Sequence, residues 1–455
     1  MKRTFSIILT FLLLMTVVAG CGTQNKGSGA ASGTVHEQSH AETSSTSNSA
    51  STQVAEPKAI DTNASFEIRF VTFMTEENRT KLLENTEKKF KEKWPNVTFT
   101  NDSSSDYAQK LKLEFGSGSG PDMVYVDDLN QQTLQQGNYL MDITQDVVNR
   151  GWIDKQIKGA VEFNNLRTPG KYYSVPFLMA PVVMYYNKDI FTKLGVQPPK
   201  TIDEMVGIMD KAKAAGYIPM ENAGANNYNL LWMVYHIIYA KVPKSDIEQW
   251  YYQKATSDSV KQGFIDAFKT MYDWGQKGYF RKNFSAVEYD NIPKLYAQGK
   301  TAMVADGDWN LAAYDQSKIP TGIFTFPNGT NIIVNATDGA WALNAKLDPQ
   351  KKPACLDFID TFMNPDVIKM WYEGGLTPSV KFDATGAKTS PLKLELNAAV
   401  ANTALGFYLD NAVPGLLDVM IKNTQLLMLG KETPEKCWEE INIAYEKQKN
   451  AAGAK

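Results

Sequence analysis

Residues 66–126 alternate between two hydrophobic periods, and this restricts the fold more than any other feature of the chain. Phe66-Glu67-Ile68-Arg69-Phe70 has period two, as a strand does. Leu83, Phe90 and Trp94 then recur near helical spacing. Trp94-Pro95 ends that helix, because a residue before proline is pushed out of the α region. Val97-Thr98-Phe99 reads as a second strand and residues 107–115 as an amphipathic helix. After a Gly/Ser/Pro turn, Asp122-Met123-Val124-Tyr125-Val126 reads as a short apolar strand. Strand, helix, strand, helix, strand is the signature of parallel sheets covered on both faces, so an α/β fold is predicted.

The pattern resumes downstream. Residues 182–186 read as a buried strand, followed by a short helix that Gly195 closes. Thr201-Ile202-Asp203-Glu204 is a capping box, with Thr201 satisfying an orphan amide and Glu204 reaching back. Ile202, Met205, Met209 and Ala212 form the apolar stripe of the helix it opens, and Gly216 stops it. Residues 228–284 are helix-rich and aromatic. Residues 301–305 form a strand feeding Asp306-Gly307-Asp308-Trp309. A further strand, Gly339-Ala340-Trp341-Ala342-Leu343, precedes helices over 353–372.

The amino terminus has a different character. Lys2 and Arg3 precede an uncharged run, residues 5–18, which is too short for an ordinary membrane span and suits a secretory signal. The run ends in Val18-Ala19-Gly20-Cys21, which resembles the lipobox of bacterial lipoproteins. That resemblance implies a signal peptide over 1–20, cleavage before Cys21 and lipid on Cys21. Residues 22–65 are dominated by small and polar types that bury too little apolar surface to offset their conformational entropy. They read as a flexible tether with a span of about 35–40 Å. His36 and His40 lie in it and read as linker histidines.

Nearly four hundred residues follow this segment, which predicts two domains or lobes. With 43% hydrophobic residues, 21% charged and a formal net charge of -3, the composition is that of a soluble globular chain. It has no long basic block, which argues against a nucleic-acid partner. Cys355 shares an apolar helical face with Phe358, Ile359 and Phe362 and reads as a buried free thiol, so no disulfide with Cys437 is expected.

Four stretches together resemble the extracellular solute-binding proteins of the maltose-binding-protein type, the sugar receptors of ABC importers. One is Gly120-Pro121-Asp122-Met123-Val124-Tyr125-Val126 followed by Gly137-Asn138-Tyr139-Leu140-Met141-Asp142-Ile143. Another is Met184-Tyr185-Tyr186-Asn187-Lys188-Asp189-Ile190-Phe191, with Pro198-Pro199-Lys200-Thr201 behind it. The others are Ala297-Gln298-Gly299-Lys300-Thr301-Ala302-Met303 running to Gly307-Asp308-Trp309-Asn310, and Gly339-Ala340-Trp341-Ala342-Leu343. The resemblance implies a two-lobed periplasmic-binding-protein fold, type II-like, with a ligand cleft between lobes joined by several crossovers. Lobe one would be 66–175 plus 338–375, and lobe two 176–337 plus 376–455. It also implies a carbohydrate ligand, ABC transporter permease subunits as partners, a monomer without cofactor or metal, and a lipid anchor on Cys21 at the outer face of the cell membrane. The stretch 376–430 departs from the family pattern.

A sugar site mixes aromatic faces for C–H surfaces with carboxylates and amides for hydroxyls. Trp309 is the leading candidate, because it follows a strand end behind Gly307 and the matching family position is an aromatic stacker. Asp308 stands beside it. Asp127 and Asp128 follow the strand ending at Val126, where one of them accepts ligand hydroxyls or caps the next helix. Phe73, in the loop after the first strand, is a second platform. Trp232 and Trp341 complete the set, each with core packing as its competing role. The segments around these residues hold no Lys or Arg, which favours a neutral saccharide over a uronate. Arg167, Lys171 and Arg281 are the cations within possible reach.

The rival class is a secreted glycosidase, which needs only two spaced carboxylates. A third reading is an adhesion lipoprotein that has lost its cleft. His236 is the sole histidine after residue 65 and reads as core, so a Ser-His-Asp triad or multi-His zinc site is hard to assemble. The fold resemblance favours a receptor, not an enzyme.

Overall fold

Alternation along the first strand translates directly into burial: Ile68 and Phe70 are enclosed while Glu67 faces solvent. The structure is a computed structural model. It describes residues 60–453 apart from 76, 105–106, 158–159, 162–164, 166–167, 169, 225–228 and 401–402. The signal segment, Cys21, most of the tether with His36 and His40, and Arg167 lie outside the described residues.

Strands β1 (Phe66–Val71), β2 (Val97–Asn101) and β3 (Met123–Val126) pair in parallel in the order β2-β1-β3. One face of this sheet carries a first core that includes Phe70, Trp94, Tyr125, Phe358, Phe362 and Trp371. Leu111 and Phe115 of the helix Tyr107–Ser117 cover the opposite face. Both faces are thus closed, as the strand–helix alternation requires.

The chain then leaves and re-enters this core on long strands. β4 (Ser174–Asn187) has 14 residues and β8 (Ile332–Leu343) has 12. Val175, Phe177 and Leu178 of β4 pack in the first core, whereas Val182 and Met184 pack in a second. On β8 the order is reversed in sequence: Ile332 and Val334 join the second core, Trp341 and Leu343 the first. The β4–β8 ladder slips between Pro176 and Met179, and β9 (Thr377–Pro378) pairs at that point with Leu178 and Met179. A register slip bends a strand and raises its twist. Two strands therefore cross between the cores at one bent place, with β9 paired alongside.

The second core gathers β5 (Ile218–Glu221), β6 (Thr301–Gly307) and the helices Asn229–Lys241, Asp258–Gln276, Leu416–Met428 and Pro434–Gly453. The helix Asn229–Lys241 is enclosed almost throughout, His236 included. A separate apolar cluster joins Val183, Tyr185 and Tyr314 to Leu392 and Leu396 of the helix Pro391–Val400.

The expectation of parallel sheets needs one correction. Pairs β1–β2, β1–β3 and β5–β6 are parallel, but β3–β8, β4–β8 and β4–β6 are antiparallel. A strand arriving from the other core enters the sheet from its far end, so it runs against strands that started there.

Local signals hold in detail. Thr201 Oγ1 accepts the Glu204 amide at 3.1 Å, and Glu204 Oε2 accepts the Lys200 amide at 2.7 Å, one residue upstream of the cap. Gly195 and Gly216 take φ of 63° and 80°, the left-handed values that end helices. Cys355 and Cys437 are buried free thiols in different cores. Among the described residues no helix is long and apolar enough to cross a membrane.

Candidate ligand site

Strands β1, β3 and β6 are followed by Phe73, by Asp127-Asp128 and by Asp308-Trp309 respectively. Carboxyl ends of strands are where open α/β sheets bind ligands. Trp309 is the pivot. It is half-buried and packs against both cores. Its ring lies over Gly307, where a Cβ would come within 2.1 Å of Cζ3, so only glycine lets the indole fold back over the strand end. Trp309 Nε1 donates to Tyr289 Oη at 2.7 Å, and Trp232 meets the indole edge-on at 5.5 Å and 70°. Trp232 is itself enclosed and meets Tyr289 at 84°, so it forms the wall behind Trp309.

Beneath this wall Asp306 fixes the bracing. Its carboxylate accepts from Tyr289 Oη, from Tyr314 Oη at 2.5 Å, from the Gly307 amide at 2.8 Å and from Asn310 Nδ2 at 3.0 Å. Burial pushes its pKa up to about 6 against the pull of those donors.

Asp308 is 2% exposed, and its Oδ2 receives no hydrogen bond. Lys393 Nζ stands 4.0 Å from that oxygen. On the first-core side Arg79 pairs with Asp338, and the Arg79 guanidinium lies 5.7 Å from the centroid of the Phe73 ring. Arg79 and Asp338 also act electrostatically on Asp308. Two carboxylates and two cations therefore share one buried region beside Trp309. Burial raises the Asp308 pKa and lowers that of Lys393, while the attraction between them opposes both shifts.

The two acidic residues after β3 take different roles. Asp127 is the N-cap of the helix Asp128–Gln136: it accepts the Asn130 amide at 2.7 Å, and Tyr107 Oη and Asn130 Nδ2 also donate to it. Its oxygens are taken up by the protein, which corrects the expectation of a ligand contact there. Asp128 accepts from Tyr251 Oη at 2.5 Å, a bond that joins the end of β3 to the second core. Close by, Asp410 accepts from Tyr235 Oη at 2.6 Å, and burial pushes its pKa up to about 6.

Trp341 is corrected too. It is 0% exposed and ringed by Phe70, Tyr125, Phe358 and Phe362 in the first core. Residues on both faces of β8 are enclosed here, so strand alternation cannot send this ring to a cleft. Phe73 remains half-buried, packed on Tyr107 and Tyr125 at 5.0 and 5.4 Å. Tyr125, not anticipated from the sequence, lies over Gly339, and its Oη has no hydrogen-bond partner.

The cations that stand beside the site are ones the sequence did not single out, Arg79 and Lys393, each of which faces a carboxylate. Lys171 and Arg281 are engaged elsewhere, with Asp142 at 3.4 Å and in a two-point pair with Glu221 at 2.6 and 2.7 Å. Among the described residues no group of His, Cys, Asp and Glu is arranged to hold a metal. A pocket lined by Phe115, Gly120, Tyr139 and Asn344 sits by the starting end of β3, away from Asp128 and outside this site.

The family profile for bacterial extracellular solute-binding proteins matches residues 85–389. The chain belongs to the bacterial extracellular solute-binding proteins. The multiple sugar-binding protein of Streptococcus mutans is 25% identical over 319 residues, 67% of this chain and 73% of that one. The maltooligosaccharide ABC transporter solute-binding lipoprotein of Streptococcus pneumoniae is 22% identical over 318 residues, 68% and 72% of the two chains. Among solved structures, a chitin oligosaccharide binding protein superimposes with a TM-score of 0.76 at 23% identity, covering 85% of this chain and 99% of that one. The two-lobed α/β fold is thus that of this family. Its members bind solutes and are not enzymes, which removes the glycosidase reading.

Proposed function

We propose that this chain is the sugar-binding component of an ABC importer, capturing a neutral mono- or oligosaccharide and delivering it to permease subunits. The observation that carries the reading is Trp309: an indole braced by Trp232 and Tyr289, in contact with both cores, beside the Asp308 carboxylate. Such a ring takes the apolar face of a pyranose while an adjacent carboxylate accepts a hydroxyl proton. Asp128, Phe73 and Trp232 extend the site on either side. A neutral ligand is supported by charge balance, since among the described residues the cations beside the site, Arg79 and Lys393, each face a carboxylate. Names of the relatives point the same way. The lobes are taken as 66–175 plus 338–375 and 176–337 plus 376–455, hinging where β4 and β8 cross beside β9.

Calorimetry against neutral oligosaccharides and their uronate counterparts tests this reading, joined to small-angle scattering. A neutral sugar is expected to bind and to reduce the radius of gyration, as in hinged binding proteins. Tighter binding of the uronates would overturn the neutral-ligand assignment. Binding at constant radius would overturn the hinge.

The second element is the address. Cys21 is proposed to carry lipid that holds a monomeric protein at the outer face of the membrane, with residues 22–65 as tether. Cells fed a labelled fatty acid should incorporate label into the protein, and Cys21→Ala should abolish incorporation and release the chain from the membrane fraction. Unlabelled, freely secreted wild-type protein contradicts this.

A further inference from the structure

We propose that Lys393 is a positioning residue for ligand capture: from the helix Pro391–Val400 it holds Asp308 ionised beside Trp309, as an acceptor for a hydroxyl of a neutral saccharide. This rests on the sugar-binding reading above and gives a role to a segment, 376–430, where the chain departs from the family pattern.

The helix is pinned on two sides. Leu392 and Leu396 pack into the apolar cluster around Tyr185 and Tyr314. Glu395 accepts from Lys188 Nζ at 2.6 Å and from the Ile323 amide at 3.0 Å. Those contacts tie it to the strands of the second core. On its other side Asn397 donates to Tyr372 Oη, and Lys393 Nζ donates to Thr377 Oγ1 at 2.8 Å and lies 5.4 Å from the Tyr372 ring centroid. Tyr372 and Thr377 belong to the helix Pro365–Glu373 and to β9 at the crossing. Lys393 is 0% exposed, so its ammonium cannot shift to water and must be compensated in place.

The decisive detail is the 4.0 Å between Lys393 Nζ and Asp308 Oδ2. That separation gives an electrostatic attraction that partly offsets the cost of burial but is too long for a hydrogen bond. The ammonium thus favours the charged carboxylate, while Oδ2, shielded from solvent, is left without a hydrogen-bond donor in the ligand-free molecule. A sugar hydroxyl donating there makes a charge-assisted bond, stronger than one to a neutral acceptor. Besides Lys393, the charges facing Asp308 are Arg79 and Asp338, with Thr377 the polar neighbour. Lys393 faces Asp308, Thr377 and the Tyr372 ring.

Burial raises the Asp308 pKa and lowers that of Lys393, so the ion-paired form is confined to a window around neutrality. Acid turns Asp308 from an acceptor into a donor, and alkali removes the Lys393 charge. Affinity should fall on both sides of that window.

The test uses the full chain with maltotriose, raffinose, chitotriose and xylotriose as calorimetric probes across this pH range. For whichever probe binds, Lys393→Met is expected to lose about tenfold or more in affinity at neutral pH. It should also lack the alkaline fall seen in the wild type, and should add no further loss on an Asp308→Asn background. A ligand-free arm follows the melting temperature. Unfolded protein keeps the Lys393 proton to higher pH than folded protein does, so stability gained through this group rises with pH above neutral. Wild type should therefore gain on Lys393→Met there. Unchanged affinity and pH profile in Lys393→Met, with a probe bound, overturns the positioning role alone. Failure of all four probes with the melting difference intact overturns the sugar reading, and the role with it. Should Lys393→Met not fold, Asp308→Asn carries the test: it must remove the acid limb, and an acid limb that persists overturns the proposal.

Discussion

Replacing Trp341 by alanine is expected to lower the unfolding free energy by about 3–5 kcal/mol, a large part of the ~5–15 kcal/mol that holds a typical domain. The ring is fully enclosed, with Tyr125 at 5.1 Å, Phe358 and Phe362 both at 5.4 Å and Phe70 at 5.5 Å. Four aromatic neighbours cannot collapse into the gap without leaving their own packing, so most of the cavity persists. The indole Nε1 receives no acceptor, which makes Trp341→Phe a sharp control. That change deletes an unsatisfied polar group along with some volume, and it should recover most of the loss. Urea titration of ligand-free protein measures both variants. Near-native stability of Trp341→Ala would place the ring on a ligand face.

Trp309→Ala should do the opposite. Its ring is half-buried, and what it loses on truncation is one hydrogen bond to Tyr289 and edge contact with Trp232. The melting temperature should therefore fall less than in Trp341→Ala. Sugar affinity should drop about tenfold or more, because an aromatic platform contributes roughly 1–3 kcal/mol and each decade is about 1.4 kcal/mol. Calorimetry alongside thermal melts separates the two variants. A large fall in melting with native affinity in the folded fraction would reassign Trp309 to the core.

The contrast between these two tryptophans explains what was legible in the chain. Features set by neighbours three or four residues away emerge from the sequence: the Thr201 cap, the stops at Gly195 and Gly216, and the strand end that projects Trp309. Trp341 was harder, because every residue from Gly339 to Leu343 is enclosed and period two then carries no information about which face matters. Asp127 and Asp128 differ by one position, and only the helix start decides which one caps. The charged partners were out of reach altogether. Tyr251 meets Asp128 across 123 residues, and Arg79 meets Asp338 across 259. Nothing in the local composition around Lys393, flanked by Leu392 and Leu394, signals a buried ammonium facing Asp308.

The crossing of β4 and β8 also constrains the order in which the molecule can be made. Trp341, Phe358, Phe362 and Trp371 belong to the core that begins at Ile68, so the part started first is completed late. A growing chain that has emerged only as far as β7 (Thr321–Phe324) holds β1, β2 and β3 but lacks β8 and the helix Lys352–Phe362, which complete the first core. Contacts this far apart in sequence form slowly, because the loop must close before any contact stabilises it. The core that opens the chain is therefore sealed only once residues as late as Trp371 are available, so loss of the segment from Ile332 onward would leave the earliest strands without one of their two apolar faces covered.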